Sequence, residues 1–302
     1  MSLLPTPSPT RTLGPGGKVV SSLAWGMWRF TGDDLGAAQG LIEAAFASGI
    51  TLLDTADIYG FNGSGGFGDA EVLLGKVLKV APHLREKIVL ATKGGIMPPL
   101  PYDQSRDYLT SALDASLTRL GVDHVDLWQV HRPDVLTHPQ ELARSLEDMV
   151  TSGKVGAVGV SNFTQAQIES LHHFLTIPLA TTQPEISALA IDPIENGLLD
   201  QAMRLGATVL AWSPLGQGRI AHPTTKRELD VAEALDSVAA AHGVSRTATS
   251  YSWLMAHPAG IIPIVGSQQP ARIAEAADAY KVRWSRTDWY KVLIASRQEP
   301  LP

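Results

Sequence analysis

Ile50-Thr51-Leu52-Leu53-Asp54-Thr55-Ala56-Asp57-Ile58-Tyr59-Gly60 starts as a short apolar run and turns polar at Asp54. Five residues later it reaches Tyr59, just before Gly60. A buried strand that empties into a polar loop is a natural place for chemistry. The same rhythm recurs along the chain. Apolar runs at 23–28, 50–53, 88–91, 125–130, 155–160, 179–182, 208–211 and 261–265 read as strands. Segments of helical length and pattern separate them: 33–48, 69–80, 106–120, 139–151, 165–174, 194–205 and 227–255 (split near Gly243), then 270–279 and 286–297 after the last strand. Strands alternating with helices argue for parallel pairing. Eight such units predict an α/β fold, a closed (β/α)8 TIM barrel, with an open doubly wound sheet as the alternative. Gly14-Pro15-Gly16-Gly17 predicts a short N-terminal hairpin ahead of the first barrel strand, and 286–297 an extra C-terminal helix. Residues 1–12 read as a flexible lead-in to one domain spanning 1–302.

The composition limits the function classes. Of 302 residues, 44% are hydrophobic, enough for a large core. With 30 acidic and 24 basic residues the net charge is −6, which argues against a nucleic-acid or membrane-surface partner. The chain has no Cys, so disulfides, thiolate metal sites and Cys nucleophiles are excluded. No apolar run approaches the roughly 20 residues of a membrane span. No secretory pattern opens the chain, and the expected location is cytoplasmic.

The polar residues at strand ends carry the argument. Asp54, Lys93, His131, Ser161, Asn162, Gln183, Trp212 and Ser267 each stand where an apolar strand has just finished. In a parallel barrel those ends share one rim, the rim that holds active sites. Polar strand ends are common because loops are wet. An acid, an ammonium, an imidazole and a phenol on one rim are less easily dismissed. A phenol has a pKa near 10. An adjacent Lys93 ammonium stabilises phenolate, which predicts a lowered Tyr59 pKa. Asp54 would hold Lys93 charged, and His131 would hydrogen-bond a carbonyl oxygen. A tuned phenol aimed at a carbonyl suits reduction by hydride, and hydride must come from a cofactor.

These residues resemble those of the aldo-keto reductase family, over nearly the full chain. The resemblance rests on Asp54-Thr55-Ala56 with Tyr59-Gly60, Lys93, and His131-Arg132-Pro133. Gly159-Val160-Ser161-Asn162-Phe163, Gln183-Pro184-Glu185 and Ala211-Trp212-Ser213-Pro214-Leu215-Gly216 follow in order. It implies NADP-dependent reduction of a small-molecule aldehyde or ketone by a monomer or weak homo-oligomer. The implied catalytic residues are Tyr59, Lys93, Asp54 and His131, with no metal. Ser161, Asn162 and Gln183 would hold the nicotinamide carboxamide, with Trp212 stacked on the ring where the family more often has Tyr or Phe. Ser213 and the amides of Leu215, Gly216 and Gly218 would cover the pyrophosphate. Gly266, Ser267, Arg272 and Glu275 would line the adenosine-phosphate site. Two positions depart from the pattern: Gly266 stands where many members have Lys, and Ala276 where many have Asn.

Other readings compete. Gly63-Ser64-Gly65-Gly66-Phe67-Gly68 satisfies G-x-G-x-x-G, but it does not directly follow a strand and the next strand ends in Lys93, so it reads as a rim loop. No Tyr-x-x-x-Lys pair occurs, and no His spacing suits a metal. Lys93 as a Schiff-base nucleophile of a lyase, or a cofactor-sensing partner protein with little turnover, are the alternative functions.

Overall fold

The computed structural model describes residues 3–301. Thr10–Thr12 (β1) and Val19–Ser21 (β2) pair antiparallel across the Gly14–Gly17 turn, as the turn residues predict. The hairpin sits across one end of a barrel. Leu13 and Val20 are buried and pack into the same cluster as Ala24, Leu52, Leu127 and Ile262, which line the barrel interior. Gly14 makes this seat possible. Its φ is +71°, and a Cβ there would stand 2.6 Å from Ala180 Cα. Its amide donates to Thr208 Oγ1 at 2.9 Å. Gly14→Ala is therefore expected to cost about 1–3 kcal/mol, from left-handed strain plus overpacking, and to lower the melting temperature.

The segment expected as a lead-in carries the first strand of the hairpin and two further backbone contacts. Thr10–Thr12 are strand, Ser22 N donates to Pro9 O at 2.9 Å, and Leu4 N donates to Trp284 O at 2.8 Å. Residues 1 and 2, the start of the expected lead-in, lie outside the described residues.

Eight parallel strands close the barrel: β3 (Ala24–Gly26), β4 (Leu52–Asp54), β5 (Val89–Gly94), β6 (Val125–Val130), β7 (Val155–Ser161), β8 (Leu179–Gln183), β9 (Thr208–Ala211) and β10 (Ile262–Val265). β10 pairs with both β9 and β3, which rules out the open sheet. The helices are α1 (Leu35–Ala47), α2 (Asp69–Val80), α3 (Arg106–Leu120), α4 (Pro139–Thr151), α5 (Gln165–Phe174), α6 (Asp192–Glu195), α7 (Leu198–Leu205), α8 (Lys226–His242), α9 (Arg246–Met255), α10 (Pro270–Ala276) and α11 (Arg286–Arg297). Local chemistry sets their ends. Asp34, Ser105, Thr164, Thr225, Ser245 and Ser285 cap N-termini with side-chain oxygens, and Gly121, Gly206 and Gly243 close C-termini in the left-handed region. The helix expected over 194–205 is two helices, because Gly197 adopts φ +86° between them. The helix expected over 270–279 changes at Ala277 into a 3₁₀ turn. Among the described residues no helix is long and apolar enough to cross a membrane.

The barrel interior is not uniformly apolar. Gln129 and Thr181 are fully buried on β6 and β8, and Thr181 Oγ1 donates to Gln129 Oε1 at 3.0 Å. Gly159 makes room for this pair, since a Cβ there would lie 1.9 Å from Thr181 Oγ1. Gln129 then leads upward to the rim.

Candidate active site

Parallel register brings the strand ends together. Asp54 closes β4 and pairs across with Ala91 of β5, two residues before Lys93. Lys93 pairs with Gln129 of β6, and His131 follows the end of that strand. Tyr59 arrives from the turn after β4, where its amide donates to Ala56 O.

The four side chains meet. Lys93 Nζ donates to Asp54 Oδ2 at 2.7 Å, Thr55 O at 2.8 Å and Tyr59 Oη at 3.1 Å. All three of its N–H donors are thus committed. The Tyr59 and His131 rings stand edge to face, 5.8 Å between centroids. Trp28 is mostly exposed and meets Tyr59 edge-on at 5.2 Å. Lys93 is completely buried, Asp54 nearly so.

A buried carboxylate needs more than one partner, and Asp54 has them. Gln129 Nε2 and Gln183 Nε2 both donate to Asp54 Oδ1, at 3.3 and 3.0 Å. Gln129 was not among the expected site residues. The signal was present: a Gln inside the apolar run Leu127-Trp128-Gln129-Val130 must find a buried partner. Gln183 is brought to the site, where its Nε2 donates to Asp54.

Burial acts to lower the Lys93 pKa, yet Asp54 and Tyr59 together outweigh it and the ammonium is favoured above its ordinary value. Tyr59 departs from the expected direction. Burial raises its phenol, and the Lys93 charge only partly offsets that, with Asp54 adding to the rise. The net shift is upward, so Tyr59 is a phenol, not a phenolate, at neutral pH. His131 is pushed well below its usual range by burial, then by Lys93 and Arg132. It is a neutral imidazole and can donate one N–H.

A second group surrounds Trp212. Ser161 Oγ donates to Gln183 O at 2.8 Å, and Asn162 Nδ2 donates to Ser161 Oγ at 2.9 Å and His131 O at 3.1 Å. Asn162 sits at φ +61°, which turns its amide toward these partners. Trp212 Nε1 donates to Asn162 Oδ1 at 2.9 Å, fixing a half-buried indole beside the tetrad. The Arg132 guanidinium lies 6.0 Å from that ring. After Trp212 the chain runs into a tight loop with Ser213 at φ +49° and Gln217 at φ +59°. The Gly216 amide donates to Ser213 O and that of Gly218 to Leu215 O, so these two amides are spent inside the loop.

The last group follows β10. Trp25 Nε1 donates to Ser267 O at 2.8 Å, and Ser267 Oγ accepts from Gln269 N at 3.2 Å. Gly266 has open space where a Cβ would stand. Arg272 is exposed and makes no ion pair among the described residues. Glu275 lies near enough to Tyr251 to raise its pKa, after burial. Ala276 is fully buried. An oriented indole and an uncommitted guanidinium on one rim fit a dinucleotide with an aromatic ring at one end and a phosphate at the other. The glycine-rich 63–68 stretch is a loop folded on Asn62 Oδ1, which accepts from Ser64 N and Gly65 N, and it leads straight into α2.

A sequence model of the Aldo/keto reductase family matches residues 22–295. The chain belongs to this family. Its eight-stranded barrel is the fold of a solved glycerol dehydrogenase from Gluconobacter oxydans, with a TM-score of 0.82 at 26% identity over 97% of this chain and 98% of that one. A Novosphingobium aromaticivorans protein named 6-dehydroglucose reductase is 65% identical over 100% of both chains. An Agrobacterium fabrum protein of the same name is 39% identical over 90% of this chain and 93% of its own. The protein is thus an aldo-keto reductase, an oxidoreductase of a family that works with nicotinamide cofactors.

Proposed function

We propose that this aldo-keto reductase reduces an aldehyde to an alcohol with NADPH, and that its substrate is 6-dehydroglucose, the C6 aldehyde of glucose. One observation carries the chemistry: Lys93 Nζ stands 2.7 Å from Asp54 and 3.1 Å from Tyr59 Oη, beside a neutral His131. The substrate reading draws on the 65% identity to the Novosphingobium protein over both full lengths. Tyr59 gives its proton to the carbonyl oxygen as negative charge develops there. Lys93 stabilises the phenolate left behind, and Asp54, itself held by Gln129 and Gln183, keeps Lys93 in place. His131 donates an N–H to the same oxygen and fixes its direction. Bound NADPH would supply hydride to the carbonyl carbon. Trp212, Ser161 and Asn162 would hold its nicotinamide end; Ser213 and Leu215 the pyrophosphate; Gly266, Ser267, Arg272 and Glu275 the adenosine phosphate. The lyase alternative needs a neutral Lys93, and the raised Lys93 pKa opposes it. A complete tetrad favours turnover over a purely cofactor-sensing role.

Loss of NADPH absorbance on adding 6-dehydroglucose tests the reading. Turnover is expected, and reduction of simple aldehydes without turnover of this sugar would remove the substrate assignment. Arg272→Ala should weaken NADPH by roughly 10–100-fold, the worth of a charge-assisted phosphate contact, and NADH far less. Equal losses, measured by fluorescence titration, would sink the phosphate contact.

A further inference from the structure

The turn that carries Tyr59 also carries a carboxyl without a partner. Asp57 is 1% exposed, and neither of its oxygens accepts a hydrogen bond from the described residues. Its backbone amide donates to Lys93 O at 3.0 Å, tying it to the residue that serves Tyr59. Its side chain lies between β5 and α3. A Cβ on Gly94 would stand 3.2 Å from Asp57 Oδ2, 2.7 Å from the Trp128 ring and 3.6 Å from Ala112 Cβ. Trp128 Nε1, on the neighbouring strand β6, is likewise buried and unpaired.

Ionisable groups face Asp57 from each packed element. Glu71 comes from α2, Arg119 from α3 and Lys93 from β5. Tyr108 on α3 and Tyr59 on the same turn both feel its charge. The cations are already matched. Arg119 Nε bonds Glu71 at 2.7 Å, and Lys93 Nζ bonds Asp54 at 2.7 Å. Glu71 is itself fully buried and accepts from Thr92 Oγ1 at 2.5 Å. A third carboxylate in this dry space has no counter-charge of its own. Burial first, then Glu71, push the Asp57 carboxyl well up; Arg119, the Ile58 amide and Lys93 act the other way without offsetting them. An unpaired buried acid weakens the fold, and positions that break packing rules next to chemistry mark function.

We propose that Asp57 is a positioning residue for Tyr59 and Lys93, a buried carboxyl without a counter-charge of its own behind the turn, whose ionisation turns the site down. While neutral, it leaves the Lys93 charge to Asp54 and Tyr59 alone. Once ionised, it draws on Lys93 and makes Tyr59 a weaker acid, so reduction falls. The role rests on carbonyl reduction by Tyr59, but two of its three tests do not.

Asp57→Asn keeps the shape and removes the titration. The infrared difference between wild type and Asp57→Asn at about pH 7 should show a protonated carboxylic-acid C=O band belonging to the wild type. Thermal melts form the second readout. A carboxyl raised in the folded state contributes most below its unfolded pKa, and that contribution is lost as pH rises through the folded pKa. Asp57→Asn should therefore gain on wild type as the pH is raised above the ordinary carboxylate value of about 4. Third, kcat/KM against pH, scaled to each protein's maximum, should keep its alkaline limb to higher pH in Asp57→Asn. A missing band, a melting difference that does not change with pH, or superimposable pH profiles would each overturn the proposal. If neither protein reduces an aldehyde, the positioning role fails with the reduction reading, while the first two readouts still report the protonated acid.

Discussion

Tyr59→Phe is expected to lower kcat for aldehyde reduction by roughly 10²–10⁴-fold, the usual worth of a positioned general acid. The substitution removes one oxygen and keeps the ring. Edge contacts to Trp28 at 5.2 Å and His131 at 5.8 Å do not involve the hydroxyl. Lys93 keeps Asp54 and Thr55 O as acceptors and loses only the bond to Tyr59 Oη. The fold should therefore weaken by no more than about 1–3 kcal/mol, the range for a hydrogen bond to a charged group. Tyr59 is not among the residues proposed to hold NADPH, so cofactor affinity should be unchanged in a fluorescence titration. Stopped-flow NADPH oxidation with a simple aldehyde gives the rate. A variant that retains wild-type kcat would remove Tyr59 as the proton donor.

Lys93→Met carries the second large effect, and it falls on stability as well as rate. Methionine fills the volume but leaves Asp54 in a completely buried site without its counter-charge. Breaking a buried pair from one side costs about 3–5 kcal/mol. Gln129 and Gln183 still donate to Asp54 Oδ1, which should hold the loss toward the lower end. A urea midpoint that falls with an unchanged m-value would report it. Adding Asp54→Asn to Lys93→Met should recover part of the loss, because the uncompensated charge is then gone. Failure of the double variant to recover would show that packing, not charge, sets the cost. The pH dependence has a definite sign. Lys93 has a raised folded pKa, so the pair's contribution is fully present below the unfolded lysine value and is lost only as pH rises through the folded one. The gap between wild type and Lys93→Met should persist through neutral pH and close only under strongly alkaline conditions.

Most of this architecture is legible in the residues. β6 and β9 run as the apolar stretches 125–130 and 208–211 predict, and α2, α3, α4, α5 and α11 keep their expected bounds. Local chemistry that a sequence displays sets several of those ends: the hydroxyls of Ser105, Thr164 and Ser285 cap α3, α5 and α11, and Gly121 closes α3. Barrel closure is not local, and the pairing of β10 with β3 decides it. The break at Gly197 was visible as a glycine but not as a break, because a helix tolerates one glycine. At the site, the meeting of Asp54, Tyr59, Lys93 and His131 follows from strand ends sharing a rim. The direction of the Tyr59 shift does not follow. A neighbouring ammonium is readable from motif order, whereas the depth of burial that outweighs it exists only in three dimensions. The same limit hid Gln183 as a donor to Asp54 and the isolation of Asp57.

The hairpin across the barrel end also bears on how the chain reaches its folded state. Its seat is built from residues made much later: Ala180, Thr208 and Gly260. On the ribosome, the hairpin residues emerge before the strands they dock on, and they wait until those strands are made. Contacts so far apart in sequence form late and slow the last stage of folding. The order of synthesis and the order of assembly thus run opposite ways here. Residues made before the barrel strands are the ones that cover one end of the finished barrel.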